Sequence, residues 1–281
     1  GGGIIMASLH PFYNYITDLK YDGNRMPVLF IGHGSPMNGI ENNEYSQTWA
    51  ELGKSIPTPK AVLVISAHWL SAGTKITAMN NPKTIHDFGG FPQELFDVQY
   101  PAPGNPDLAL ETKKLITTTN VDMDHDWGLD HGTWTVVRHM YPKADIPVLQ
   151  LSIDYYKPAE YHYNLAAQLA DLRKKGVLII GSGNMVHNLI MVAWDKMNTN
   201  YGFDWAHEMN IIFKDKIGNA DHKALMNYEK LHKAATLAIP TPDHYWPMIY
   251  SLALRDKKDD VTFFNDSFVG GSLTMTSFMY S

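Results

Sequence analysis

Four short apolar runs, rich in β-branched residues, constrain this chain more than any other feature: Val28 to Ile31, Ala61 to Ile65, Pro147 to Leu151 and Val177 to Ile180. Successive side chains of a strand point to opposite faces, so a strand with one face in water alternates apolar with polar. These runs do not alternate. They read as strands buried on both faces, as in a parallel sheet covered by helices. Stretches of helical character fall between them. Asn105 to Thr118 carries Pro106 near a helix start, then Leu108, Leu115 and Ile116. Pro158 to Arg173 carries Leu165, Ala166, Leu169, Ala170 and Leu172, and Tyr201 to Ile217 and Asp243 to Leu254 complete the set. The alternation predicts an α/β fold with a mostly parallel central sheet flanked by helices on both faces. Val261 to Phe264 and Ser272 to Phe278 read as additional edge strands near the C-terminus. No repeat, low-complexity stretch or Ser/Gly/Pro-rich linker interrupts the 281 residues. The expectation is one domain, with residues 1–25 as an N-terminal extension.

Three of the strand candidates run into a turn of small residues that carries a histidine. VLFI leads to Gly32-His33-Gly34-Ser35-Pro36, AVLVI to Ser66-Ala67-His68-Trp69, and VLII to Gly181-Ser182-Gly183-Asn184 and then His187. Ligands of open α/β sheets bind outside the carboxyl ends of the strands, and small residues there let the backbone turn tightly or approach a ligand. Histidines distant in sequence can therefore converge, and neutral imidazole is the commonest metal-binding side chain. His244, in Pro240-Thr241-Pro242-Asp243-His244, is a fourth candidate, with Asp243 placed to cap the following helix. His131 lies in Gly128-Leu129-Asp130-His131-Gly132, and without a metal bond it is available as a general acid or base.

The competing reading is that a histidine is simply structural or solvent-exposed, and most of the 13 must be. His10, His125, His139, His162, His207, His222 and His232 have no special context and read as ordinary, and His86 stays undecided. For His131 the bland alternative is a helix-start residue held by Asp130. Phe88, Phe91, Phe96 and Tyr100 suit either a pocket for a planar substrate or the core, and core is the better reading.

Other chemistries drop out. The chain has no cysteine, which removes disulfides, thiolate metal sites, iron–sulfur clusters and cysteine nucleophiles. It also fits a reducing compartment, and the expected location is cytoplasmic. Gly181-Ser182-Gly183 lacks the third glycine of a dinucleotide fingerprint, and neither G-x-S-x-G nor HExxH occurs. A formal net charge of −6 argues against nucleic acid as a partner. No segment reaches the ~20 apolar residues of a membrane helix, and the first residues lack the pattern of a signal peptide.

The segments FIGHGSPMNGI, VLVISAHW, HDFGGFPQELFDVQYPAPG, WGLDHGTW, GSGNMVHN and TPDHYWP, in that order, resemble the class III extradiol ring-cleavage dioxygenases, in the DOPA 4,5-dioxygenase-like branch. The resemblance implies an α/β enzyme with a non-haem metal site that cleaves a catechol beside its diol with O2, giving a muconic semialdehyde. It implies one divalent metal per chain, Fe(II) for activity and Zn(II) in some isolated forms. His33 and His68 match metal ligands. His187 and His244 both match the third position, and His187 or His131 the base. The implied partners are a small catecholic substrate and O2, in a monomer or small homo-oligomer. Two rival readings share the same histidines: a zinc-dependent hydrolase, and a metal-binding relative without activity.

Overall fold

The computed structural model describes residues 25–281, so the N-terminal extension expected over residues 1–25 lies, apart from Arg25, outside the described residues. Its centre is a six-stranded sheet. The strands are β1 (Val28–Gly32), β2 (Ala61–Ser66), β3 (Val148–Gln150), β4 (Val177–Gly183), β5 (Val261–Phe264) and β6 (Ser277–Tyr280). Their order is β3-β2-β4-β1-β6-β5. The first four are parallel, while β6 and β5 add antiparallel at one edge. The parallel strands are the four non-alternating runs, and each alternates between two cores. Val28, Phe30, Leu63, Ile65, Val177 and Ile179 face one hydrophobic cluster. Leu29, Ile31, Val62, Val64, Leu178 and Ile180 face the other.

Helices cover both faces. On the first lie α2 (Pro106–Leu115), α4 (Ala159–Ala167), α5 (Asp204–Gly218) and α6 (Trp246–Ala253), contributing Ala109, Leu165, Phe213 and Met248 to that core. On the second lie α1 (Glu44–Ser55) and α3 (His131–Met140), contributing Trp49, Leu52, Trp134 and Val137. Helix α1 does not stand out in sequence, and α3 enters only as the alternative that makes His131 a helix-start residue, which it is. In α3 the run Thr-Trp-Thr-Val-Val is poor in helix formers, and burial of almost the whole helix overrides that weak preference. Asn43 holds α1 in a capping box, its side chain accepting from the Tyr45 and Ser46 amides.

Several expectations shift. The helix expected over Pro158 to Arg173 breaks after Ala167 into a 3-10 turn, Ala170–Lys175, closed by Gly176 in the left-handed region. The strand expected over Ser272 to Phe278 splits, Leu273–Thr274 pairing with Phe268–Val269 and β6 entering the main sheet. Asp243 does not cap α6, which has Tyr245 at its N-cap and no side-chain cap; its carboxylate turns to His244 instead. Among the described residues no helix is long and apolar enough to cross a membrane.

Helix α6 lies hard against β4. A Cβ at Gly181 would stand 2.3 Å from the Pro247 carbonyl oxygen and 2.5 Å from Ser251 Oγ. Gly181→Ala must push helix and strand apart, at a cost of about 1–3 kcal/mol. Urea denaturation should show a lower midpoint, and an unchanged midpoint would contradict this packing.

Candidate metal centre

All four parallel strands end on the same side of the sheet, and the histidines gather there. The end of β4 is the point they share. Its Gly183 carbonyl accepts from the His33 amide at 3.0 Å, and its Ser182 carbonyl accepts from the Ala67 amide, next to His68, at 3.0 Å. The Asn184 amide, just beyond the strand, donates to the His244 carbonyl at 2.9 Å. Gly183 is required for that last approach, because a Cβ there would lie 2.2 Å from the His244 oxygen. Strand-end glycines thus serve the close approach of the segment carrying His244, where the sequence had pointed to a tight turn or a nearby ligand. Gly34, at φ +63°, turns the chain directly after His33.

His33, His68 and His244 each offer a ring nitrogen within 4.8 Å of the others. The Nε2 atoms of His33 and His68 are 3.1 Å apart. Two donors bound to one ion at about 2.0–2.1 Å are themselves about 3.0–3.4 Å apart, so the pair has the spacing of shared coordination. The remaining nitrogens are engaged behind the rings. His33 Nδ1 lies 2.9 Å from Ser182 Oγ, His244 Nδ1 2.5 Å from Asp243 Oδ2, and His68 Nδ1 3.6 Å from Asp87 Oδ2. Metal-ligating imidazoles are held by outer partners of this kind. The donor set therefore fits a divalent cation.

Burial sets the protonation. It holds His33 and His244 well below the usual imidazole range, with neighbouring histidines adding to the effect. Burial and then the adjacent His131 bring His68 down to about 3, although Asp87 opposes them. Burial takes His187 to about 4 against the pull of Asp243. Neutral imidazoles are the form that binds metal.

His187 sits differently from the other three. Its ring stacks on His244 with centroids 3.5 Å apart and planes at 6°, and it groups with Asp243 and His244. His131 opens α3, its amide 2.9 Å from Asp87 Oδ1 and its Nδ1 2.9 Å from Asp87 Oδ2, with its ring 3.9 Å from that of His68. Asp87, which sequence reasoning did not single out, thus holds His131 by two atoms and faces His68. Burial alone would raise its carboxyl, but the hydrogen bonds and charge of His131, with the charge of His68, leave it below its ordinary value. Asp130, the proposed holder of His131, is instead wholly buried and accepts from Ser66, Trp127 and Gln150. The undecided His86 is structural, its Nε2 2.7 Å from the Val98 carbonyl.

All five histidines line one cavity of about 840 Å³, together with Phe88, Phe91 and Trp194. Phe88 and Phe91 thus belong to the pocket wall as well as packing on the core, a correction to the core reading. Tyr100 is core, donating to the Tyr141 carbonyl.

Fold and site together define an α/β protein with a histidine-rich, open site able to hold a metal ion beyond the carboxyl ends of its parallel strands. The chain belongs to the family described as the catalytic LigB subunit of aromatic ring-opening dioxygenase, whose model matches residues 27–269. It is 45% identical, over 93% of its length and 97% of the relative's, to an Escherichia coli (strain K12) protein named 4,5-DOPA dioxygenase extradiol. A Beta vulgaris protein of the same name is 32% identical over 92% of this chain and 98% of its own. The fold matches the crystal structure of an uncharacterized Escherichia coli K12 protein with a TM-score of 0.79, at 41% identity, over 92% of this chain and all of that one (100%).

The buried histidines make stability depend on pH. His68, at about 3, and His162 and His187, at about 4, stay neutral in the folded chain below the ordinary 6.5. Unfolded, they take up protons below that value, so the unfolded state gains as pH falls. Each costs up to about 1.4 kcal/mol per pH unit between the two values. Metal-free protein should therefore lose denaturant resistance steadily from pH 7 to pH 5, and a flat profile would contradict the neutral cluster.

Proposed function

We propose that this chain is an extradiol dioxygenase that opens a catechol ring beside its two hydroxyls, placing both atoms of O2 in a muconic semialdehyde product. The observation that carries the reading is the convergence of three neutral imidazoles on one open cavity, with two further histidines left over for protons. The relatives named 4,5-DOPA dioxygenase extradiol support a DOPA-like catechol as substrate.

His33, His68 and His244 would hold one divalent ion, Fe(II) for activity. When bound, such an ion supplies the electron transfer that ground-state dioxygen needs and a charge that favours the ionised catechol. The protein supplies position and protons. Phe88 and Phe91 form an apolar wall against which a planar ring can lie. His131, steadied by Asp87, takes a phenolic proton as the catechol seats. It then returns a proton to oxygen as the ring opens. His187, stacked on His244 and grouped with it and Asp243 and not with His33 and His68, serves as the second proton carrier. A cytoplasmic location belongs to the same proposal, since the cysteine-free chain gains nothing from an oxidising compartment.

Oxygen uptake tests the reading on metal-free protein reloaded anaerobically with Fe(II), using L-DOPA and simple catechols. Iron-dependent uptake with a yellow semialdehyde product is expected. No uptake with any catechol, despite one bound metal per chain, would overturn it in favour of a hydrolase or an inactive relative. His33→Ala should lose both metal and turnover. His131→Phe should keep the metal and lose about 10²–10⁴-fold in rate, and an unaffected rate would return His131 to a structural role.

A further inference from the structure

Ser66 and Ser182 face each other in register on adjacent parallel strands, β2 and β4, at the level of the histidine cluster. Both hydroxyls reach the first turn of α3. Ser66 Oγ donates to Asp130 Oδ1 at 2.7 Å, and Ser182 Oγ donates to the Gly132 carbonyl at 2.5 Å. A serine hydroxyl has one proton to give. Ser182 has committed it to Gly132, so toward His33 it can only accept. His33 Nδ1, 2.9 Å away, must then carry the hydrogen, and His33 Nε2 is left as a bare lone pair. That lone pair faces His68 Nε2 at 3.1 Å.

We propose that Ser182 is a positioning residue that locks His33 in the Nδ1–H tautomer and so presents its Nε2 lone pair to the metal before any metal arrives. The hydroxyl is wholly buried, and no water is needed to complete its bonding. The device ties the ligand to the helix that carries His131, since one side chain bonds to both. Gly132 is the matching feature on the helix side, because a Cβ there would lie 2.3 Å from Ser66 Oγ. The inference rests on His33 being a metal ligand, but not on the substrate or on ring opening.

Two measurements test it. In metal-free wild-type protein, long-range 1H–15N correlation of the histidine rings should show His33 protonated at Nδ1 alone. Protonation at Nε2 or a mixture of tautomers would overturn the proposal, with no variant required. In Ser182→Ala, His33 should become a tautomer mixture and the dissociation constant for Co(II) or Zn(II) should rise about 10–100-fold, the usual effect of losing such an outer partner. Wild-type affinity in a folded Ser182→Ala protein would sink the idea. Full metal affinity in His33→Ala would instead show that the ligand assignment had failed. Oxygen-uptake results bear on neither readout.

Discussion

Two imidazole nitrogens, His33 Nε2 and His68 Nε2, meet 3.1 Å apart in a buried site, held there by backbone bonds to the end of one strand. Burial strips His33 and His244 of water and keeps them neutral, which removes the repulsion of like charges. With His33 bare at Nε2, His68 Nε2–H can donate to it, and a divalent cation would replace that hydrogen bond with shared coordination. The same neutrality that weakens the metal-free fold in acid is what makes the cluster ready to bind. The acid sensitivity of the fold and the readiness of the cluster for a cation thus share one cause, the depressed proton affinity of buried histidines.

The scaffold enforces that choice through the end of one strand. Backbone atoms at residues 182–184 bond to His33, to the residue before His68, and to His244, so three histidines distant in sequence are positioned by two consecutive peptide units. This works only because the strands are parallel and in register, which brings their carboxyl ends to one level, and because Gly183 leaves room for the His244 carbonyl. Helix α6 follows that contact and packs on the sheet through Gly181. The core and the site are therefore the same piece of construction.

The parallel strands were legible because burial on both faces writes itself as uninterrupted apolar runs, and the strand-end histidines were legible because small residues surround them. His33, His68, His131, His187 and His244 do come together around one cavity. What sequence did not reveal are the groups behind the rings. Asp87 and Ser182 act through spatial contacts that no local pattern encodes, while Asp243, next to His244 in the chain, has the look of a helix cap. In sequence a helix start at His131 is only the bland alternative, and the helix is not followed through its β-branched run, whose weak helix preference packing overrides. Phe88 and Phe91 look like core in sequence because an apolar pocket wall and a core draw on the same residues.

In the proposed site His33, His68 and His244, and not either neighbouring group, hold the metal. Anomalous diffraction from crystals of the metal-loaded protein tests it most directly. One peak is expected about 2.0–2.1 Å from the Nε2 atoms of those three histidines. A peak held instead by His68, Asp87 and His131, or by His187, Asp243 and His244, with His33 standing clear, would contradict it.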